Sequence, residues 1–206
     1  MKTVRVLVSA VLAGFCIGLG GLAFLSVENR VIGAALFTTG LFVICTFGLH
    51  LFTGKVCYAL QNDGRFALQL PLIWLGNVAG TGLTAGAVSL TRIATVSERA
   101  MALCQVKQGD SLVSLFFLGV LCNIFIYIAV EGYKSNPHEL GKYLSLFFGV
   151  MVFILAGTEH CVADMFYIWM AGAWSGDMLL RLLVISLGNA AGGILFAQLR
   201  EFARKG

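Results

Sequence analysis

An all-α integral membrane protein is predicted from this sequence, with six transmembrane helices set out as an inverted repeat of three plus three. Three observations carry that reading. Of the 206 residues, 59% are hydrophobic and only 12% charged, with a mean hydropathy of +0.90, whereas a soluble domain carries roughly 25% charged residues. The apolar residues fall in blocks, several of them near the ~20 residues a helix needs to cross a bilayer core. Finally, Leu75-Gly76-Asn77-Val78-Ala79-Gly80 recurs as Leu187-Gly188-Asn189-Ala190-Ala191-Gly192. Three spans per half make the two copies face opposite ways, which places the expected substrate route between the halves near the bilayer midplane.

Cutting at charged and turn-forming residues gives spans at about 5–27, 31–60, 66–90, 111–130, 142–173 and 179–200. The first follows a basic start, but from Val6 to Leu25 it is longer than the ~7–15-residue apolar core of a signal peptide. It is therefore read as a span. Glu28-Asn29-Arg30, Asn62-Asp63-Gly64-Arg65 and Ser135-Asn136-Pro137 form breaks. The chain is one transmembrane domain, 1–206, with repeat one at about 5–90, a polar linker at about 91–110 and repeat two at about 111–200.

Spans two and five are too long for a plain crossing, and each carries a polar interruption. In span two it is His50-Leu51-Phe52-Thr53-Gly54-Lys55. In span five it is Gly157-Thr158-Glu159-His160-Cys161-Val162-Ala163-Asp164. Matched interruptions of this kind point to a transport site, because broken helices survive at that depth only when buried in protein or lining a cavity.

Charge sets the orientation. Lys2, Arg5, Arg65, Lys134, Lys142, Arg200, Arg204 and Lys205 fall on the side of the termini, against Arg30, Arg92, Arg99, Lys107 and Arg181 on the other. Both termini are thus expected in the cytoplasm, for a multi-pass protein of the inner (plasma) membrane. The net charge of +4 gives no electrostatic case for nucleic acid. Six cysteines without a CxxC pair read as buried thiols.

The chain resembles the formate/nitrite transporter family. The resemblance rests on one motif per span, in order: Ala13-Gly14-Phe15-Cys16-Ile17-Gly18-Leu19-Gly20-Gly21, Leu51-Phe52-Thr53-Gly54, Trp74-Leu75-Gly76-Asn77, Gly119-Val120-Leu121-Cys122-Asn123, Gly157-Thr158-Glu159-His160-Cys161-Val162-Ala163-Asp164-Met165, and Leu187-Gly188-Asn189-Ala190-Ala191-Gly192-Gly193. It implies an aquaporin-like protomer in a homopentamer, each protomer conducting a small monovalent anion (formate, nitrite or hydrosulfide) without a cofactor or a metal. It implies His160 as the central pore histidine beside Glu159, with Thr53 opposite, Lys107 drawing anions into a vestibule, and Asn123 near the broken helix. It places apolar rings at Phe37, Leu41, Ile126 and Phe153 on one side of His160, and at Leu51 and Phe52 on the other.

The pattern is broken at three positions. His50 stands where the family has Glu, and Lys55 and Asp164 where it has Asn. A cytoplasmic helix before span one is nearly missing. Lys55 and Asp164 occupy equivalent places in the two repeats, which suggests a buried ion pair bracing the loops. Glu159 is expected to bond loop amides. Unpaired amides at the broken-helix N-termini, and a proton supplied at His160, would lower the cost of moving an anion into apolar surroundings. Two other cargoes or activities are weighed. The Asn-Pro of an aquaporin box occurs only at Asn136-Pro137, in a loop, which argues against water or glycerol. A metal or redox centre built from His50, Glu159, His160, Cys161 and Asp164 lacks an HExxH or paired-histidine helix, so no enzymatic role is expected.

Overall fold

The computed structural model describes residues 2–205. The side chain of Lys2, one of the charges counted above, lies outside the described residues. The helices are α1 (Lys2–Leu25), α2 (Arg30–Phe47), α3 (Phe52–Val56), α4 (Gly64–Ala67), α5 (Leu70–Ser89), α6 (Val96–Gly109), α7 (Leu112–Ser135), α8 (Glu139–Leu155), α9 (Cys161–Ala171) and α10 (Gly176–Arg204). Among the described residues, five stretches are long and apolar enough to cross a membrane: Thr3–Leu25, Arg30–Phe47, Gly64–Ser89, Leu112–Ser135 and Gly176–Arg204. α8, at 17 residues, is continued across a break by α9. Apolar side chains such as Leu36, Phe117, Leu187 and Leu195 stay exposed on the outer faces, as expected of a surface that meets lipid.

Local chemistry fixes the ends. Asn29 accepts from the amides of Val31 and Ile32 to start α2, and Ser111 and Ser175 start α7 and α10 in the same manner. The two breaks share one device. Gly48 (φ +66°) ends α2, and Gly157 (φ +71°) turns the chain after α8, a backbone that costs glycine nothing and strains any other residue. The chain then re-enters helix at Phe52 and at Cys161. Each interruption seen in the sequence is thus half break and half helix: Phe52 to Lys55 already lie in α3, and Cys161 to Asp164 in α9.

α1 packs along α5 and α2, α7 along α10 and α8, and α9 lies against α5 and α6. The close crossings depend on missing side chains: a Cβ at Gly80 would fall on the Val11 carbonyl, and one at Gly192 on the Val120 carbonyl. Small residues let helices approach where no hydrophobic force drives them together. Gly192→Val should therefore force α7 and α10 apart and cost ~3 kcal/mol or more, at the upper end of overpacking penalties. Gly109→Ala, in open space, should be nearly neutral. Thermal melting of the two purified variants checks the contrast.

The linker at 91–110 is not a plain polar loop. It contains the 14-residue helix α6, whose last turn delivers Lys107 to the protein interior.

Candidate functional site

The two breaks meet in the middle of the molecule, where a pair of asparagines holds them. Asn77, on α5, donates to the carbonyls of Ala10 and His50 and accepts from the Phe52 amide. Asn189, on α10, donates to the carbonyls of Gly119 and Glu159 and accepts from the Cys161 amide. Each asparagine thus ties one break to two neighbouring helices through three bonds of 2.7 to 3.1 Å. Both are wholly buried, so each bond also prevents an orphaned polar group. The first amides of α3 and α9 are therefore committed to asparagines.

His160 caps α9 with its ring: Nδ1 accepts from the Ala163 amide at 3.0 Å. A nitrogen that accepts an amide proton carries none itself, so in the neutral ring Nε2 is the protonated nitrogen. That Nε2–H lies 2.9 Å from Thr53 Oγ1, and donates to it. The ring also stacks on Phe153, with centroids 5.5 Å apart, and Phe153 meets Phe37 edge-on at 6.0 Å. His160 and Thr53 are thus brought together as the motifs implied, from opposite breaks and 107 positions apart.

On either side of this contact lies a cavity. The wide one, about 690 Å³, is lined by His160, Phe153, Tyr167, Glu28, Arg30, Arg99, Lys107, Glu159 and Asp164 among others. The narrow one, about 100 Å³, is lined by Leu41, Leu49, Leu51, Cys45, Lys55, Tyr133 and Lys134 among others. α2 runs from Arg30 at the first to Ile44 and Cys45 at the second. Thr53 and the buried side chains of Phe37, Phe52 and Ile126 line neither cavity. Leu41 shares the narrow cavity with Leu51, so the expected grouping of Leu41 with Phe153 on one side of His160 does not hold.

Ion pairing also departs from expectation. Asp164 does not pair with Lys55. Lys107 Nζ sits 3.2 Å from Asp164 Oδ1 and 3.1 Å from Glu159 Oε2, with all three residues buried. Lys55 and Asp164 line different cavities, on opposite sides of the Thr53–His160 contact. Glu159 engages this lysine rather than the loop amides. Burial alone would lower the Lys107 pKa, but the carboxylates of Asp164 and Glu159 outweigh it and hold the ammonium above the ordinary lysine value. Asn123 lines neither cavity: its amide nitrogen donates to the carbonyls of Thr53 and Asn189, which braces the contact from behind. His50 bonds the Ser9 hydroxyl at 2.6 Å, away from Glu159 and Asp164.

This is a route-like arrangement, two cavities and a narrow polar contact, rather than a catalytic constellation. Residues 1–203 match the family model described as formate/nitrite transporter. The chain belongs to the formate/nitrite transporter family. Members of that family are transporters and channels rather than enzymes. This member is 28% identical to the nitrite transporter NirC of Salmonella typhimurium, over 92% of this chain and 79% of that one. Its fold is similar to a solved FNT family ion channel, with a TM-score of 0.85 at 25% identity, covering 98% of this chain and 90% of the other. A solved pentameric formate channel with formate bound has a TM-score of 0.82 at 20% identity, covering 99% and 98%.

In this family member, sequence reading missed Arg30, Arg99 and Tyr167 as cavity-lining residues. Arg30 donates to the Ile154 carbonyl at the end of α8. Arg99 donates to the carbonyls of Leu25 and Val27. For the two arginines the available signal was a position at a membrane edge, which the loop count used only for orientation.

Proposed function

We propose that each chain forms a pore for a small monovalent weak-acid anion, formate or nitrite, with hydrosulfide as the alternative cargo. The observation that carries this is the hydrogen bond between Thr53 and His160. It joins two broken helices between cavities that lie toward opposite ends of α2. The matched hydrogen-bond sets of Asn77 and Asn189 support an aquaporin-like inverted repeat of six spans, the second and fifth of them broken. Homopentameric assembly is proposed from the likeness to the pentameric formate channel, and the loop charges support cytoplasmic termini in the inner (plasma) membrane.

The contact geometry restricts the chemistry. An anion leaving the wide cavity meets the faces of Phe153 and His160, where desolvating a full charge costs several kcal/mol. Crossing as the neutral acid removes most of that cost. With Nδ1 engaged by the Ala163 amide, His160 donates hydrogen bonds through Nε2 while remaining uncharged, and a ring cation at the N-terminus of α9 would oppose the helix dipole. His160 therefore serves best as a neutral hydrogen-bond donor to the passing acid or anion, alongside the Thr53 hydroxyl. The acid's own proton comes from the water of the wide cavity.

Proteoliposomes holding purified protein, loaded in turn with formate, nitrite, hydrosulfide and chloride, test this reading. Weak-acid flux well above chloride is expected. His160→Ala and Thr53→Val should each change its rate by tenfold or more, the factor that about 1.4 kcal/mol represents. Absence of flux for every anion in folded wild-type protein would overturn the pore assignment.

A further inference from the structure

The two cavities carry opposite electrostatic balances. In the wide cavity Arg30, Arg99 and Lys107 face Glu28, Glu159 and Asp164, so the formal charges cancel. Lys107, expected to draw anions, is instead held between two carboxylates at 3.1 and 3.2 Å. The narrow cavity has Lys55 and Lys134 in its lining and, among the described residues, no carboxylate. The nearby acid, Glu131, is already engaged: it accepts from Arg200 at 2.9 Å and from the Tyr58 hydroxyl at 2.6 Å. Lys134 rests over the Tyr58 ring, 4.2 Å from its centroid. Lys55 is half-buried on α3, two residues from Thr53, and forms no ion pair among the described residues. A partly buried ammonium without a counter-charge is costly, and a bound anion is the group that relieves it.

We propose that the narrow cavity is a second binding station for a small monovalent anion, held by Lys55 and Lys134 on the far side of the Thr53–His160 contact from Lys107. Its volume of about 100 Å³ leaves room for a triatomic or one-carbon anion. The Lys55 ammonium supplies charge-assisted hydrogen bonds, Lys134 adds field from the rim, and Leu41, Leu49 and Leu51 exclude competing water. On the conduction reading above, this makes the protein electrically lopsided: an anion is concentrated at the narrow cavity and receives little net attraction at the wide one.

The test uses the full chain, inserted in one orientation in phosphatidylcholine bilayers, which carry no net-negative lipid to occupy the lysines. Flux of labelled formate is measured with the gradient applied from each side in turn. Lys55→Gln should raise the half-saturating formate concentration about tenfold from the narrow-cavity side, the usual scale for losing a hydrogen bond to a charged group. The wide-cavity side should be unaffected, and Lys55→Arg should behave like wild type. Equal shifts from both sides, or none, overturn the station. If wild type passes no anion, the conduction reading fails on its own, and calorimetric titration of sodium nitrite into purified protein judges the station. Binding lost in Lys55→Gln and kept in Lys55→Arg supports it; equal or absent binding in all three proteins overturns it.

Discussion

Lys107→Met is expected to unfold this protein more readily than any other single change at the wide cavity. The substitution keeps the volume and removes the cation that, among the described residues, contacts both Glu159 and Asp164. Two carboxylates would then share a buried site without a counter-charge, and breaking a buried pair by removing one partner costs ~3–5 kcal/mol. The measurement is thermal melting of the purified protein in detergent. Asp164→Asn alone should be far milder, because it leaves Lys107 and Glu159 as a one-to-one pair. Adding Asp164→Asn to Lys107→Met should recover part of the loss, since a single carboxylate is easier to accommodate by protonation. Additive effects in that cycle would mean the three groups do not act as one cluster.

Asn189→Ala should have an effect of similar size, by another route. Three buried bonds disappear together, leaving the Cys161 amide and the Glu159 carbonyl without partners and removing the second bond to the Gly119 carbonyl. Each orphaned group costs ~1–3 kcal/mol, so a loss of ~3 kcal/mol or more is expected. The N-terminus of α9 would also drift, and His160 with it. Asn189→Asp should not rescue: it keeps an acceptor for Cys161 but sets a carboxylate against two carbonyl oxygens. Asn77→Ala should behave alike at the other break. A variant that melts normally while flux falls would assign Asn189 to transport rather than to bracing.

Much of the site was legible in the residues. Spans two and five were each too long and too polar at the middle, which marked the breaks, and the recurring Leu-Gly-Asn marked the helices that brace them. Helix breaks are local events written in glycine and polar residues, so a linear reading finds them within a few positions. The contact between His160 and Thr53 followed from the motifs as a resemblance, not from spacing, since 107 residues separate the partners. Other features were hidden. α6 carries no apolar periodicity strong enough to stand out in a polar linker, so its delivery of Lys107 to Asp164 left no linear trace. The uncharged reading of His160 depends on a 3.0 Å bond from the Ala163 amide, which no pattern encodes.

Sequence by itself determined that this chain belongs in a membrane, that a Leu-Gly-Asn block recurs in it, where its helices break, and to which family it is similar. These follow from hydropathy, glycine placement and motif order, all properties of neighbouring residues. Only the tertiary structure decided which charges meet. Lys55 and Asp164 belong to the two helix breaks, yet they line different cavities, on opposite sides of the Thr53–His160 contact. Coulomb energy falls with distance in space, not along the chain. Lys107 therefore takes Asp164, and Lys55 is left in the narrow cavity with no ion-pair partner among the described residues.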